Sequence, residues 1–183
     1  MNPLWIVAIV VAVFVLAIII IYNGLVRIKN QVENSWAQID VQLKRRFDLI
    51  PNLIETVKGY AKHEKGVLEE ITKARTAFMS ATTVQQKGKA ANMLEGTLKT
   101  LFAVSENYPK LQANENFLQL QEELSGTESK IAYARQHYND MVMELNTKVQ
   151  TFPSNVFARM FGFTAKEQYP VPEEERKNVK VQF

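Results

Sequence analysis

The chain of 183 residues has no cysteine. That excludes disulfides, thiol catalysis, thiolate metal sites and a lipid-modified cysteine, and it leaves the compartment open. Histidine is nearly as scarce, with His63 and His137 only. His63 is followed by Glu64, but adjacent helical positions point to different faces, and a zinc-binding helix wants a second histidine four residues on, where Val67 stands. His137, in Arg135-Gln136-His137, has no ligand-type neighbour. There is no glycine-rich phosphate loop and no nucleophile elbow. A pair of carboxylates brought together by folding is a constellation that spacing alone does not address. A strong charge of one sign is also missing. Lys and Arg number 22 against 19 acids, for a net charge of +3, and the basic residues are interspersed with acids, so nucleic-acid binding is not implied. No catalytic, cofactor-binding or metal site is expected, and no small-molecule substrate.

What the chain does have is an abrupt change of solvent. Leu4 to Ile21 is an unbroken apolar run of eighteen residues without charge, Gly or Pro. A bilayer core about 30 Å thick takes roughly 20 such residues as a helix. Leu4, Trp5, Ile6, Phe14, Ile21 and Tyr22 mark the expected anchor. Trp5 and Tyr22 are 17 positions apart, roughly 26 Å at the helical rise, which sets both rings near the two lipid–water interfaces. A cleaved signal peptide wants a basic start and a small-x-small cleavage site. Met1-Asn2-Pro3 carries no side-chain charge, and Ile20-Ile21-Tyr22-Asn23 is a poor cleavage site. Arg27 and Lys29 follow the run closely, which favours a cytoplasmic domain and a short outside N-terminus.

After the anchor every long segment reads as helix. Leu25, Ile28, Val32, Trp36, Ile39, Leu43, Phe47, Ile50, Ile54, Val57 and Ala61 recur in steps of three, four and four. That eleven-residue period fits a nearly straight helix. The stripe resumes at Leu68, Ile71 and Phe78; if the helix is continuous from the membrane to Met79, it is a kinked rod roughly 85 Å long. Pro51 should kink or break it, and Gly59 and Gly66 weaken it. Ser80 to Gly88 reads as a turn with Thr83 as N-cap, opening a second helix to about Glu106 that Asn107-Tyr108-Pro109 stops. A third helix runs from near Asn114 to about Thr151 on the stripe Phe117, Leu120, Leu124, Ile131, Tyr138, Met141, Leu145 and Val149. Phe152-Pro153 ends it, and Ser154 should cap a short helix, Asn155 to Phe161, that Gly162 terminates. Thr164 to Arg176 is a charged tail, and Val179, Val181 and Phe183 alternate as a short extended strand would. The expected fold is all-α: a transmembrane helix over 1–22, an up-and-down antiparallel helical bundle of very long helices over 23–163, and a short extended tail over 164–183.

Charge falls in two informative places. Lys44-Arg45-Arg46 lies too far from Tyr22, about 33 Å along a helix, to feel a membrane potential that decays within about 8 Å. With Asp40 four residues before Lys44 and Asp48 beyond Arg46, the run reads as a salt-bridged, solvated helix face. Arg75, Glu128 and Arg135, by contrast, interrupt apolar stripes. Charges there are costly unless paired, so they predict a structural ion network, with a binding site as the alternative. If the first and third helices run parallel, Glu128 reaches Arg75 and is too far from Arg46.

Several longer strings resemble the LemA family: Asp40-Val41-Gln42-Leu43-Lys44-Arg45-Arg46, Asp48-Leu49-Ile50-Pro51-Asn52-Leu53, Val57-Lys58-Gly59-Tyr60 with His63-Glu64, and Tyr22-Asn23-x-Leu25-Val26 at the membrane exit. Glu106-Asn107-Tyr108-Pro109-x-Leu111, Gly126-Thr127-Glu128, Phe152-Pro153-Ser154-Asn155, Phe161-Gly162-Phe163 and the closing Val181-x-Phe183 continue the match in order. Leu145-Asn146 departs from it, where an aromatic residue would precede the Asn. The resemblance implies a bacterial single-pass inner-membrane protein with an α-helical domain and no established enzymatic activity. A relative takes part in building magnetosome membrane organelles, which by analogy points to membrane organisation. The expected function is a non-enzymatic membrane scaffold whose partners are the bilayer and either copies of itself or other membrane proteins. The competing reading is a regulatory subunit of, or an enzyme associated with, a membrane protease or transporter, which a polar pocket holding perturbed acids or histidines would favour. A pore would need a ring of many copies, because one span without polar residues lines no water path.

Overall fold

The computed structural model describes residues 3–61 and 63–170. Val179, Val181 and Phe183 lie outside the described residues, as does the tail beyond Pro170. Among the described residues there are six helices and no strand: α1 (Pro3–Lys58), α2 (Lys65–Ser80), α3 (Val84–Ser105), α4 (Pro109–Gln112), α5 (Glu115–Gln150) and α6 (Ser154–Met160). The fold is all-α, as the periodicity predicts.

The described residues form two compact units, one of 3–37 with 136–168 and one of 38–61 and 63–135 with 169–170. The second unit is a four-helix bundle built from the later part of α1, then α2, α3 and the first part of α5. Pairings between helices set its directions. Phe47 of α1 stacks on Phe78 of α2, with ring centroids 4.0 Å apart, and Phe102 of α3 meets Phe117 of α5 edge-on. Tyr60, just past α1, accepts a hydrogen bond from Asn114, just before α5, while Arg46 further back on α1 pairs with Glu128 further along α5. Neighbouring helices are therefore antiparallel, and α1 and α5 are antiparallel too.

This overturns the single rod to Met79 and the parallel first and third long helices. Pro51 does not end α1. It sits exposed inside the helix, where its missing N–H removes one bond of the ladder without burying an unpaired group. The break comes at Gly59 to Glu64, where Tyr60 and Ala61 both donate to the Val57 carbonyl. The reason is burial. A straight continuation would leave Leu68, Ile71, Ala74 and Phe78 in water, and folding back buries all four, with Phe78 stacked on Phe47 of α1.

The local signals behave as their chemistry dictates. Thr83 caps α3 with a capping box: its hydroxyl accepts from the Gln86 N–H, and the Gln86 side chain accepts from the Thr83 N–H. Asn114 caps α5 by accepting from the Phe117 N–H. Ser154 is not the expected cap of α6. Its hydroxyl instead donates to the carbonyls at the end of α5, those of Lys148 and Thr151. Gly162 ends α6 at φ 74°, with Phe163 N–H on the Ala158 carbonyl and Gly162 N–H on that of Arg159, the paired bonds of a left-handed helix stop.

Within the first unit Leu25, Ile28 and Val32 of α1 are buried, as are Tyr138, Val142 and Leu145 of α5 and Ala158 of α6. Trp36 packs edge-on against Tyr138. The described chain after α6, up to Pro170, has no regular secondary structure and is held by side chains. The Asn146 amide both donates to the Lys166 carbonyl and accepts from its N–H, and the Tyr138 hydroxyl donates to the Glu167 carbonyl.

Candidate functional site

The start of α1 is an unbroken apolar stretch with none of it buried. It is long and apolar enough to cross a membrane. Leu4, Trp5, Ile6, Phe14 and Tyr22 are all exposed, and Ile21 is partly covered. Protein burial begins where the apolar run stops: Ile18 and Ile21 are half-covered and Leu25 is buried. At this boundary Tyr22 meets Phe161 and Phe163 edge-on, with centroids 4.9 and 6.1 Å apart.

In the four-helix unit, the run Lys44-Arg45-Arg46 is split three ways. Lys44 is exposed and Arg45 reaches Glu123 at 3.5 Å, but Arg46 is buried and pairs with Glu128. The run is therefore not one solvated face. Asp40 pairs with Lys87 of α3, not with Lys44, and the Lys87 ammonium also stands over the Phe78 ring. Of the three stripe charges, Glu128 finds Arg46 because α1 and α5 run antiparallel. No ion pair joins Glu128 to Arg75 among the described residues. Arg75 is half-buried on α2, with its Nε lacking a hydrogen-bond partner. Glu95 of α3 lies close enough to Glu128 to act on it electrostatically. Arg135 acts on buried Tyr169, together with Glu128, Arg46 and Glu95.

The electrostatics follow from this crowding. Burial pushes the Glu128 carboxyl above the usual carboxylate range; Arg46 pulls it down and the like charge of Glu95 pushes it up again. Burial likewise raises the Tyr169 phenol, which Arg135 and Arg46 lower and Glu128 and Glu95 raise. Tyr169 and Pro170 lie against Gly88 of α3, where a Cβ would stand 2.5 Å from Pro170 Cγ. Sequence reading missed Arg46, Glu95, Gly88 and Tyr169. Only Arg46 left a signal, three residues after Leu43 and four before Ile50, on the stripe itself.

Two grooves open on this unit. One of about 930 Å³ is lined by Ile54, Ala61 and Leu68 and edged by Lys58, Lys65 and His63. A smaller polar one of about 560 Å³ lies between α1 and α5 at Asn52, Glu55, Asn116 and Glu123. Glu128 lines neither. Among the described residues no three His, Cys, Asp or Glu side chains gather as metal ligands. The cluster of Arg46, Glu95, Glu128, Arg135 and Tyr169 thus has the composition of an internal ion network that orders α1, α3 and α5 against the tail.

Protein LemA of Metamycoplasma hominis is 27% identical over 161 residues, which cover 86% of this chain and 72% of the relative. Magnetosome protein MamQ 2 of Paramagnetospirillum magneticum is 23% identical over 185 residues, covering 87% of this chain and 68% of the relative. Magnetosome protein MamQ of Magnetospirillum gryphiswaldense is 21% identical over 182 residues, covering 85% and 67%. The pattern of the LemA family matches residues 35–183, most of the chain, and the chain belongs to the LemA family.

Proposed function

We propose that this protein is a non-enzymatic, membrane-anchored helical scaffold of the bacterial inner membrane, with its helical domain in the cytoplasm. One observation carries the reading. The same helix, α1, begins as an exposed apolar span and continues as the buried core stripe of the domain, so the domain is tied to the bilayer without a flexible linker. Arg27 and Lys29 just past the span support the orientation. Relatives named as magnetosome proteins support a role at membranes. The scaffold acts by holding partners, copies of itself or other membrane proteins, on its helical surface.

Orientation is tested with protease added to sealed spheroplasts: the domain stays intact, and its digestion reverses the assignment. The scaffold role is tested by cross-linking the full-length chain in native membranes and measuring its mass after detergent extraction. Assemblies larger than one chain are expected. A single chain without any cross-linked neighbour overturns the reading.

A further inference from the structure

We infer that α6 is a second membrane-contacting element, lying flat in the headgroup region of the leaflet through which α1 leaves the bilayer. The observation is a helix whose apolar residues face the wrong way for a water-soluble surface. Ala158 of α6 is buried. On the outward face Val156 and Met160, four residues apart and so side by side, are 54% and 61% exposed. Phe152 just before the helix is 83% exposed, and Phe161 just after it 43%. Four large apolar side chains grouped this way mark a contact surface rather than chance exposure.

The occupant is fixed by what adjoins the patch. Phe161 and Phe163 pack edge-on against Tyr22, the residue that closes the apolar run of α1. Ile18 and Ile21, the last turn of that run, are already half-covered. The patch is therefore continuous with the membrane-spanning surface, at the level where the span ends. Aromatic residues favour that level. An amphipathic helix in such a place buries its apolar face about 5–10 Å into the boundary between headgroups and acyl chains. Charge agrees: Arg159 is exposed on α6, and Arg27 and Lys29, the latter also paired with Glu33, are exposed on the turns of α1 that follow Tyr22, suited to anionic phospholipid headgroups.

This inference rests on residues 4–22 being a retained anchor, and the test separates the two. The native chain has no cysteine, so single labels are clean. Full-length F14C, V156C, M160C and Q136C are labelled with an environment-sensitive fluorophore and reconstituted in vesicles of phosphatidylcholine and phosphatidylglycerol. Spin-labelled lipid and aqueous iodide serve as quenchers. Gln136 is exposed on α5 beside the Trp36–Tyr138 contact, about 21 Å along α1 from Tyr22, and is the water-side control. Labels at 156 and 160 are expected to lose most of their emission to shallow spin-labelled lipid and little to iodide, with 14 quenched by deep spin-labelled lipid and 136 by iodide. If 14 is lipid-quenched while 156 and 160 behave like 136, α6 stands in water and the inference falls alone. If 156 and 160 are shielded from both quenchers, protein covers the patch and the inference also falls. If 14 escapes lipid quenching, the anchor fails and the inference falls with it.

Discussion

Residues 4–20 and 25–57 lie on the same helix, α1, and both are rich in Val, Ile, Leu and Phe, yet their exposure follows opposite rules. In the first stretch nearly every side chain is exposed and the apolar residues have no period; in the second, burial recurs at Leu25, Ile28, Val32, Ile39, Leu43, Phe47, Ile50, Leu53 and Val57 with polar residues between. A helix apolar all round is matched to lipid, whereas one with a single apolar stripe is matched to other helices in water. Identical amino acids therefore have different energetic meaning on either side of Tyr22.

The sharpest way to break this comparison is to truncate one phenylalanine in each stretch. Phe47, fully buried and stacked on Phe78, should cost roughly 3–5 kcal/mol as Phe47→Ala. Phe14→Ala should leave the stability of the helical domain unchanged, because Phe14 touches no core. Denaturant unfolding of the detergent-solubilised full chain, followed by Trp36 fluorescence, measures both; equal losses would mean the first stretch packs on the domain.

Next in size is the buried charge of the second stretch. Glu128→Leu leaves buried Arg46 without its partner and should cost on the order of 3 kcal/mol, the low end for such a pair because Glu128 keeps some exposure. Arg46→Met should cost a similar amount, the double change less than either, and Arg75→Met less than Arg46→Met. A pH series adds a sign. Folding raises the Glu128 carboxyl, so the folded chain holds that proton more tightly than the unfolded one. Its contribution is fully present below the unfolded carboxyl range and is lost as pH rises through the raised folded value. Glu128→Gln should flatten that fall in a plot of unfolding midpoint against pH; an unchanged slope would assign it to other groups.

The smallest effects come from glycines. Gly88→Ala drives a Cβ into Pro170 and should destabilise by about 1–3 kcal/mol. Gly126, with nothing near its missing Cβ, should gain roughly 0.4–1 kcal/mol as Ala, because the unfolded chain loses freedom. Thermal unfolding of the two variants side by side reads the difference, and a stabilised Gly88→Ala would mean the tail does not dock there.

The exposed apolar helix, the helical stripes, the Thr83 cap and the Gly162 stop were legible because each depends on a few neighbouring residues. Eighteen apolar residues make a helix with no polar face whatever follows, a three–four spacing puts side chains on one face, and a hydroxyl two or three residues before free N–H groups caps them. What required the tertiary structure was the direction of each helix after a turn. Gly59 marks a weak point, but nothing local says that α2 folds back rather than running on; that is decided by the apolar area that Leu68, Ile71 and Phe78 bury in the bundle, where Phe78 stacks on Phe47 of α1. Once α1 and α5 are antiparallel, Glu128 meets Arg46 instead of Arg75, Asp40 meets Lys87 instead of Lys44, and Tyr169 with Pro170 closes on Gly88. The sequence by itself therefore determined which solvent and which face each residue prefers, because those preferences are short-ranged. Which residues meet was settled by the fold alone, because an ion pair or a docked ring depends on chain direction and register between segments that are distant in sequence.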